Sequence, residues 1–166
     1  MDYLWTPWRY TYMKQVTGGP QPECVFCDAV AQNQDERTLI VHRGRKAFVI
    51  LNRYPYTSGH VMIVPYSHTA ELAGCDQEAL GEMMQLSRGV EAAFQQLYKP
   101  DGMNFGMNLG RAAGAGVAGH LHLHALPRWF GDTNFMTVTG ETRIHPEELS
   151  VTYSRLKSAL GRPTPS

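Results

Sequence analysis

Three histidines alternate with apolar residues in the stretch Gly119-His120-Leu121-His122-Leu123-His124-Ala125-Leu126-Pro127-Arg128. Period-two alternation is the pattern of a β-strand, whose successive side chains point to opposite faces. The spacing therefore lines three imidazoles along one face and sends Leu121, Leu123 and Ala125 into a core on the other. Pro127 cannot donate a ladder hydrogen bond, so the strand is expected to end near it. Imidazole is the side chain whose ordinary pKa leaves it largely neutral, and so nucleophilic, near pH 7. One such ring can attack phosphorus while its neighbours act as donors or cations toward phosphate oxygens. A plain metal patch is the competing use of a histidine-rich tract. A purification tag would be contiguous and unpatterned, which this tract is not.

Two further groups have chemical uses. Cys24-Val25-Phe26-Cys27 has the spacing of half a metal site, and in a reducing compartment that is the commoner use of such a pair. Two histidines from elsewhere would complete the tetrahedron of structural zinc. The other reading is a pair of reduced, buried thiols. The third cysteine, Cys75, precedes a helix and has no evident chemical role. The stretch Gly110 to Gly119 is mostly Gly and Ala and leads straight into the histidines. Small residues let backbone N–H groups approach a phosphate closely, although a flexible connection is the plainer use.

Several elements must position these groups. Thr38–His42 and Ala47–Leu51 are apolar, β-branched runs joined by Arg43-Gly44-Arg45-Lys46, which predicts a hairpin. His60–Pro65 reads as a third strand, with His60 a supporting histidine rather than a direct catalytic group. Asp76 is placed to cap a long helix. On it Leu80, Met83, Met84, Val90, Phe94 and Leu97 form one apolar stripe, and Pro100-Asp101-Gly102 ends it. Met103–Leu109 alternates again and predicts a fourth strand, before the histidine strand. Pro146–Leu160 predicts a final helix, with Leu149, Tyr153, Leu156 and Leu160 on one face. The sum is an α+β domain with a mainly antiparallel sheet of about five strands, a long helix packed on it and a C-terminal helix.

Bulk properties bound the rest. The chain has 166 residues, enough for one domain with a single core, and the expectation is one domain over residues 1–166. Residues 1–22 would form an aromatic arm, with Tyr3, Trp5, Trp8, Tyr10 and Tyr12, and 161–166 a disordered tail. Fifteen basic residues balance fifteen acidic ones, so no electrostatic footprint for nucleic acid is present. No run reaches the roughly 18 apolar residues of a membrane span. There is no signal peptide pattern at Met1. Three cysteines do not make a disulfide framework, and a soluble, cytoplasmic setting is expected.

His120-Leu-His122-Leu-His124-Ala-Leu resembles the histidine triad signature of the HIT nucleotide hydrolases and transferases, at all seven positions. The similarity extends from about Leu4 to Val138. It includes Leu-Trp-Thr-Pro-Trp-Arg, Leu-Asn-Arg-Tyr-Pro-Tyr, Gly-His-Val-Met-Ile-Val-Pro, Asn-Leu-Gly and Pro-Arg-Trp-Phe-Gly-Asp-Thr-Asn-Phe-Met. These look like the bacterial branch close to diadenosine tetraphosphate phosphorylases. The resemblance implies five strands with helices on one side, often as a homodimer. It implies zinc on Cys24, Cys27, His68 and His120, as a brace. It places Asn52 on a ribose hydroxyl, and Asn108 with the loop residues Gly114, Ala115, Gly116 and Val117 on the polyphosphate. This loop lacks the polar side chains common in relatives, so only its backbone can serve. The residues around Trp129 to Met136 would help shape the substrate pocket.

The same resemblance makes the substrate an adenine dinucleoside polyphosphate or an AMP derivative. His122 would be the nucleophile forming an adenylyl-histidine, His124 a donor to phosphate oxygens, and His120 a brace through zinc. The acceptor would be phosphate for a phosphorylase or water for a hydrolase. A nucleoside phosphoramidase would use the same His122. A non-catalytic nucleotide-binding zinc module would show no turnover. Uridylyl transfer normally has Gln where this chain has His124.

Overall fold

Two apolar runs, Ala47–Leu51 and Val61–Pro65, are buried along their whole length and form the middle of one antiparallel sheet. The computed structural model describes residues 23–132 and 147–161. The aromatic arm of 1–22, residues 133–146 and the tail beyond Gly161 lie outside them. In chain order the elements are α1 (Val25–Ala31), α2 (Asp35–Thr38), β1 (Ile40–Arg43), β2 (Ala47–Leu51), β3 (Val61–Pro65), α3 (Gln77–Tyr98), β4 (Gly102–Gly106), β5 (Leu123–Arg128) and α4 (Leu149–Leu160). The five strands lie in the order β1-β2-β3-β5-β4, and every neighbouring pair is antiparallel.

Strand alternation divides the core between the two faces. Val49, Leu51, Val61, Ile63, Leu123 and Ala125 face α3 and α4, where they meet Met83, Val90, Phe94, Tyr153 and Leu156. The opposite face shows Ile40, Phe48, Ile50, Met62 and Val64 to Phe26 and Ala29 of α1. So the helices are not all on one side, as the resemblance implied. The two long ones are, and the short α1 covers the other face.

The capped helix starts where the sequence places it, with Glu78 N–H donating to Asp76 Oδ1 at 3.1 Å. It ends at Lys99, whose φ of 44° is left-handed. Met84 does not join the apolar stripe. It is 61 % exposed, because its neighbour Met83 takes the inward position. Glu82 ties α3 to the β1–β2 turn, accepting from the backbone N–H groups of Arg45, Lys46 and Ala47. Gly44 has no room for a side chain in that turn, since a Cβ would lie 2.8 Å from the Ala47 carbonyl oxygen.

Several strand boundaries shift, and β3 begins at Val61 rather than His60. Thr38 closes α2 rather than opening β1, and Leu39 turns left-handed with φ 68°, so the strand begins at Ile40. β4 stops at Gly106, opposite His124, so Asn108 lies beyond the ladder. The histidine strand is laddered only from Leu123. His120-Leu121-His122 precede it, with the Leu121 N–H donating to the Thr69 carbonyl. The alternation of sides persists through this stretch. Leu121 packs with Cys75 and Ala79, while Phe26 touches the rings of both His120 and His122. Pro127 lies past the last residue of β5 that pairs with β3, and the strand runs one residue beyond it.

Candidate active site and metal centre

His122 is buried just ahead of β5, and its Nδ1 is 2.8 Å from its neighbour's carbonyl, that of His120. A carbonyl only accepts, so the proton of the neutral ring sits on Nδ1 and Nε2 keeps its lone pair. Burial holds the pKa below the ordinary imidazole value. The ring lines a cavity of about 900 Å³ between α1 and the sheet. A neutral, oriented imidazole on the wall of a space of ligand size is what nucleophilic chemistry would require.

His124 stands beside it, ring centroids 4.9 Å apart, on the same wall. A relay of hydrogen bonds sets its tautomer. The Tyr56 N–H donates to His60 Nδ1 at 3.1 Å, so the neutral His60 ring carries its proton on Nε2. That Nε2–H faces His124 Nδ1 at 2.9 Å. His124 must accept there and carry its own proton on Nε2. Burial, helped by His122, lowers its pKa to about 4, so it acts as a neutral donor near pH 7. His60 itself is buried, and the Asn52 amide nitrogen lies 3.3 Å from its Nδ1. Asn52 Oδ1 accepts from the Tyr54 N–H.

His120 faces a different group. Its Nε2–H donates to the Pro65 carbonyl at 2.9 Å, leaving Nδ1 bare toward two sulfurs. Cys24 Sγ lies 3.2 Å from that nitrogen and Cys27 Sγ 3.7 Å from it. His68 Nδ1 is 3.4 Å from Cys27 Sγ. All four ligand atoms fall within 4.8 Å of one another. With Zn–S of about 2.3 Å and Zn–N of about 2.0–2.1 Å, a tetrahedral site has sulfur–nitrogen edges of about 3.6 Å. The donor set and its spacing therefore fit zinc. Burial and the adjoining Cys24 sulfur push the Cys27 thiol pKa up, an effect that a bound cation reverses.

The cavity wall gathers His122, His124, Asn52, Gly114, Gly116 and Val117. Ala115 and Asn108 are not on it. The N–H groups of Gly114 and Ala115 close the loop on the carbonyls of Arg111 and Gly110. Among the described residues, Gly116 and Val117 keep the N–H groups that a phosphate could use. No sequence motif by itself marks the α1 wall, with Val25, Phe26 and Ala29, or the rim residues Tyr54 and Tyr56 as parts of the cavity. A signal for the first lay inside the Cys-x2-Cys pair, since the metal knuckle and the cavity wall are one helix.

The HIT domain family model matches residues 33–131. The chain belongs to the HIT family. It is 35% identical over 98% of its length to an AP-4-A phosphorylase of Mycobacterium tuberculosis, covering 86% of that protein. The fold is similar to that of a Zn-bound histidine triad family protein from Mycobacterium smegmatis, with a TM-score of 0.68 and 28% identity, covering 83% of this chain and 93% of that one. A histidine triad nucleotide-binding protein from Sulfolobus tokodaii gives a TM-score of 0.67 and 26% identity, over 83% and 92% of the two chains. This HIT chain keeps all three triad histidines and a full Cys2His2 cluster. Among its described residues no helix is long and apolar enough to cross a membrane.

Proposed function

We propose that this HIT protein cleaves dinucleoside polyphosphates such as diadenosine tetraphosphate through an adenylyl-His122 intermediate, with phosphate as acceptor. The observation that carries the reading is the His122 ring, its Nδ1–H held by the His120 carbonyl and its Nε2 lone pair left for the cavity. Nε2 attacks the α-phosphorus, and the bond from phosphorus to the bridging oxygen breaks, releasing ATP. His124 Nε2–H and the N–H groups of Gly116 and Val117 stabilise charge on the phosphate oxygens. Asn52 holds the ribose. An oxygen of inorganic phosphate then attacks the same phosphorus, the P–N bond breaks, and ADP leaves with His122 restored. The 35% identity to an AP-4-A phosphorylase supports phosphate over water as acceptor.

Cys24, Cys27, His68 and His120 would hold zinc, which would supply structural bracing of α1 and His120. A homodimer is part of the proposal. β4 is an edge strand, and Phe105 on it and Leu109 just beyond it are 41% and 45% exposed. Incubation with diadenosine tetraphosphate, with and without phosphate, tests the reading. ADP and ATP formed only with phosphate support it. AMP and ATP formed without phosphate make the enzyme a hydrolase, and no turnover under either condition removes the enzymatic reading.

A further inference from the structure

The cavity has two unlike ends. At one, on β5, stand His122 and His124. The other lies across the sheet, toward β2 and β1, and its polar lining includes Asp28, Gln32, Arg37 and Arg53. The sheet order puts β2 two strand spacings from β5, about 10 Å, and β1 a third spacing on, about 14 Å. Helix α1 crosses the same span. Its start has Cys24 Sγ 3.2 Å from His120, and Phe26 lies against His122. Its far end has the Val30 carbonyl 3.5 Å from Arg43 Nη2 of β1. Asp28 and Gln32 therefore sit toward the β1 end. A nucleotide with its phosphorus at His122 and its ribose at Asn52 directs its base to this rim. The inference rests on the nucleotide reading given above.

The rim charges are not spent on each other. Arg37 bonds the neutral Gln34 amide, and Arg53 bonds the Arg37 carbonyl at 3.4 Å. Neither guanidinium has a carboxylate partner among the described residues. Asp28 accepts from Gln32 Nε2 at 2.7 Å through Oδ2 and makes no ion pair among the described residues, which steadies the carboxylate and leaves its other oxygen for a ligand.

We propose that Asp28, Arg37 and Arg53 read the base and favour guanine over adenine. Guanine offers N1–H and N2–H donors on one edge, which suit a carboxylate. Its adjoining O6 and N7 acceptors suit a guanidinium, the pairing that arginine makes with guanine elsewhere. Adenine turns the N1 acceptor toward the carboxylate and has no O6. Within the dinucleoside polyphosphates proposed above, the preferred members are then those with a guanine on the transferred nucleotide.

Calorimetric titration of the whole protein with GMP, IMP and AMP tests this without turnover. GMP is expected to bind about tenfold more tightly than AMP, the lower part of the range for one bidentate base contact, with IMP between because it lacks the N2 amine. Asp28→Asn is expected to collapse the GMP-to-AMP ratio, and Arg37→Gln or Arg53→Gln to shrink it. Equal binding, or tighter AMP, in the unaltered protein overturns the proposal. So does a guanine preference that all three variants retain. Binding of none of the three nucleotides, with no cleavage of diadenosine tetraphosphate, overturns the nucleotide reading and this inference together. Cleavage with no guanine preference overturns the inference alone.

Discussion

Removal of the metal is expected to disable catalysis before it unfolds the domain. In zinc-finger peptides, binding and folding are one event, worth about 10–16 kcal/mol, because nothing else holds the chain together. Here α3 and α4 cover one face of the sheet with a core of their own, including Phe94 and Leu156, both fully buried. Only the α1 face leans on the cluster. The linkage is then set by mass action, and zinc at about 100 times its Kd stabilises the folded state by about 2.7 kcal/mol. For a domain of this size each kcal/mol moves Tm by about 2–4 °C, so chelation should lower Tm by about 5–11 °C. Turnover should fall further. Phe26, which walls the cavity beside His122, sits between two ligands, and His120 supplies the carbonyl that orients His122. Thermal melts with and without chelator, alongside metal content and kcat, check this. Re-added zinc should restore both, and Cys27→Ser should make the protein insensitive to chelator. A purified protein with no metal, whose melting and turnover ignore both chelator and zinc, would refute the reasoning.

His122→Ala is expected to abolish cleavage of diadenosine tetraphosphate and the covalent adduct with little change in Tm, read by product chromatography and mass spectrometry; preserved turnover would remove the nucleophile assignment. His60→Phe keeps the buried volume but removes the Nε2–H that fixes His124. It should lower kcat more than it raises KM and shift the nitrogen NMR signals of His124, whereas unchanged signals would disprove the relay. Glu82→Gln should destabilise the protein at pH 7 by about 1–2 kcal/mol, since three backbone N–H groups lose a charged acceptor. Burial raises the Glu82 pKa, but those three bonds outweigh it and the net shift is downward. The contribution is therefore full above the unfolded carboxylate pKa of about 4.3 and is lost as pH falls through the lower folded value. Urea melts of both proteins from pH 7 downward should converge below that window, and a constant gap would contradict the assignment.

What was legible in the sequence follows from how locally each feature is determined. The alternation of His120, His122 and His124 with Leu121, Leu123 and Ala125 fixes sides in any extended chain, so it survived even where the ladder is missing. The long helix announced itself through Asp76 and a stripe many residues long. Helix α1 did not, because seven residues with no side-chain cap are held by tertiary contacts of Phe26 and Ala29 rather than by propensity. Thr38 and Leu39 looked like the start of a strand because β-branched and aliphatic residues favour one. A left-handed Leu39 overrode that preference, as its carbonyl met the Leu51 N–H. Resemblance placed Asn108 and Ala115 on the polyphosphate by position alone. The end of β4 at Gly106 and the internal bonds of the loop take both off the cavity wall.

The late start of β5 has a consequence for the chemistry. A residue within a ladder commits its backbone groups to the neighbouring strands. His120 lies outside the ladder, so its carbonyl is open to the ring two residues on, and that bond orients His122. The same displacement frees the His120 ring to turn toward Cys24 and Cys27 rather than the cavity. One residue thus presents its side chain to the metal cluster and its backbone to the nucleophile. In the proposed roles, the bracing histidine and the reacting one are therefore joined by a single ring-to-backbone hydrogen bond outside the ladder.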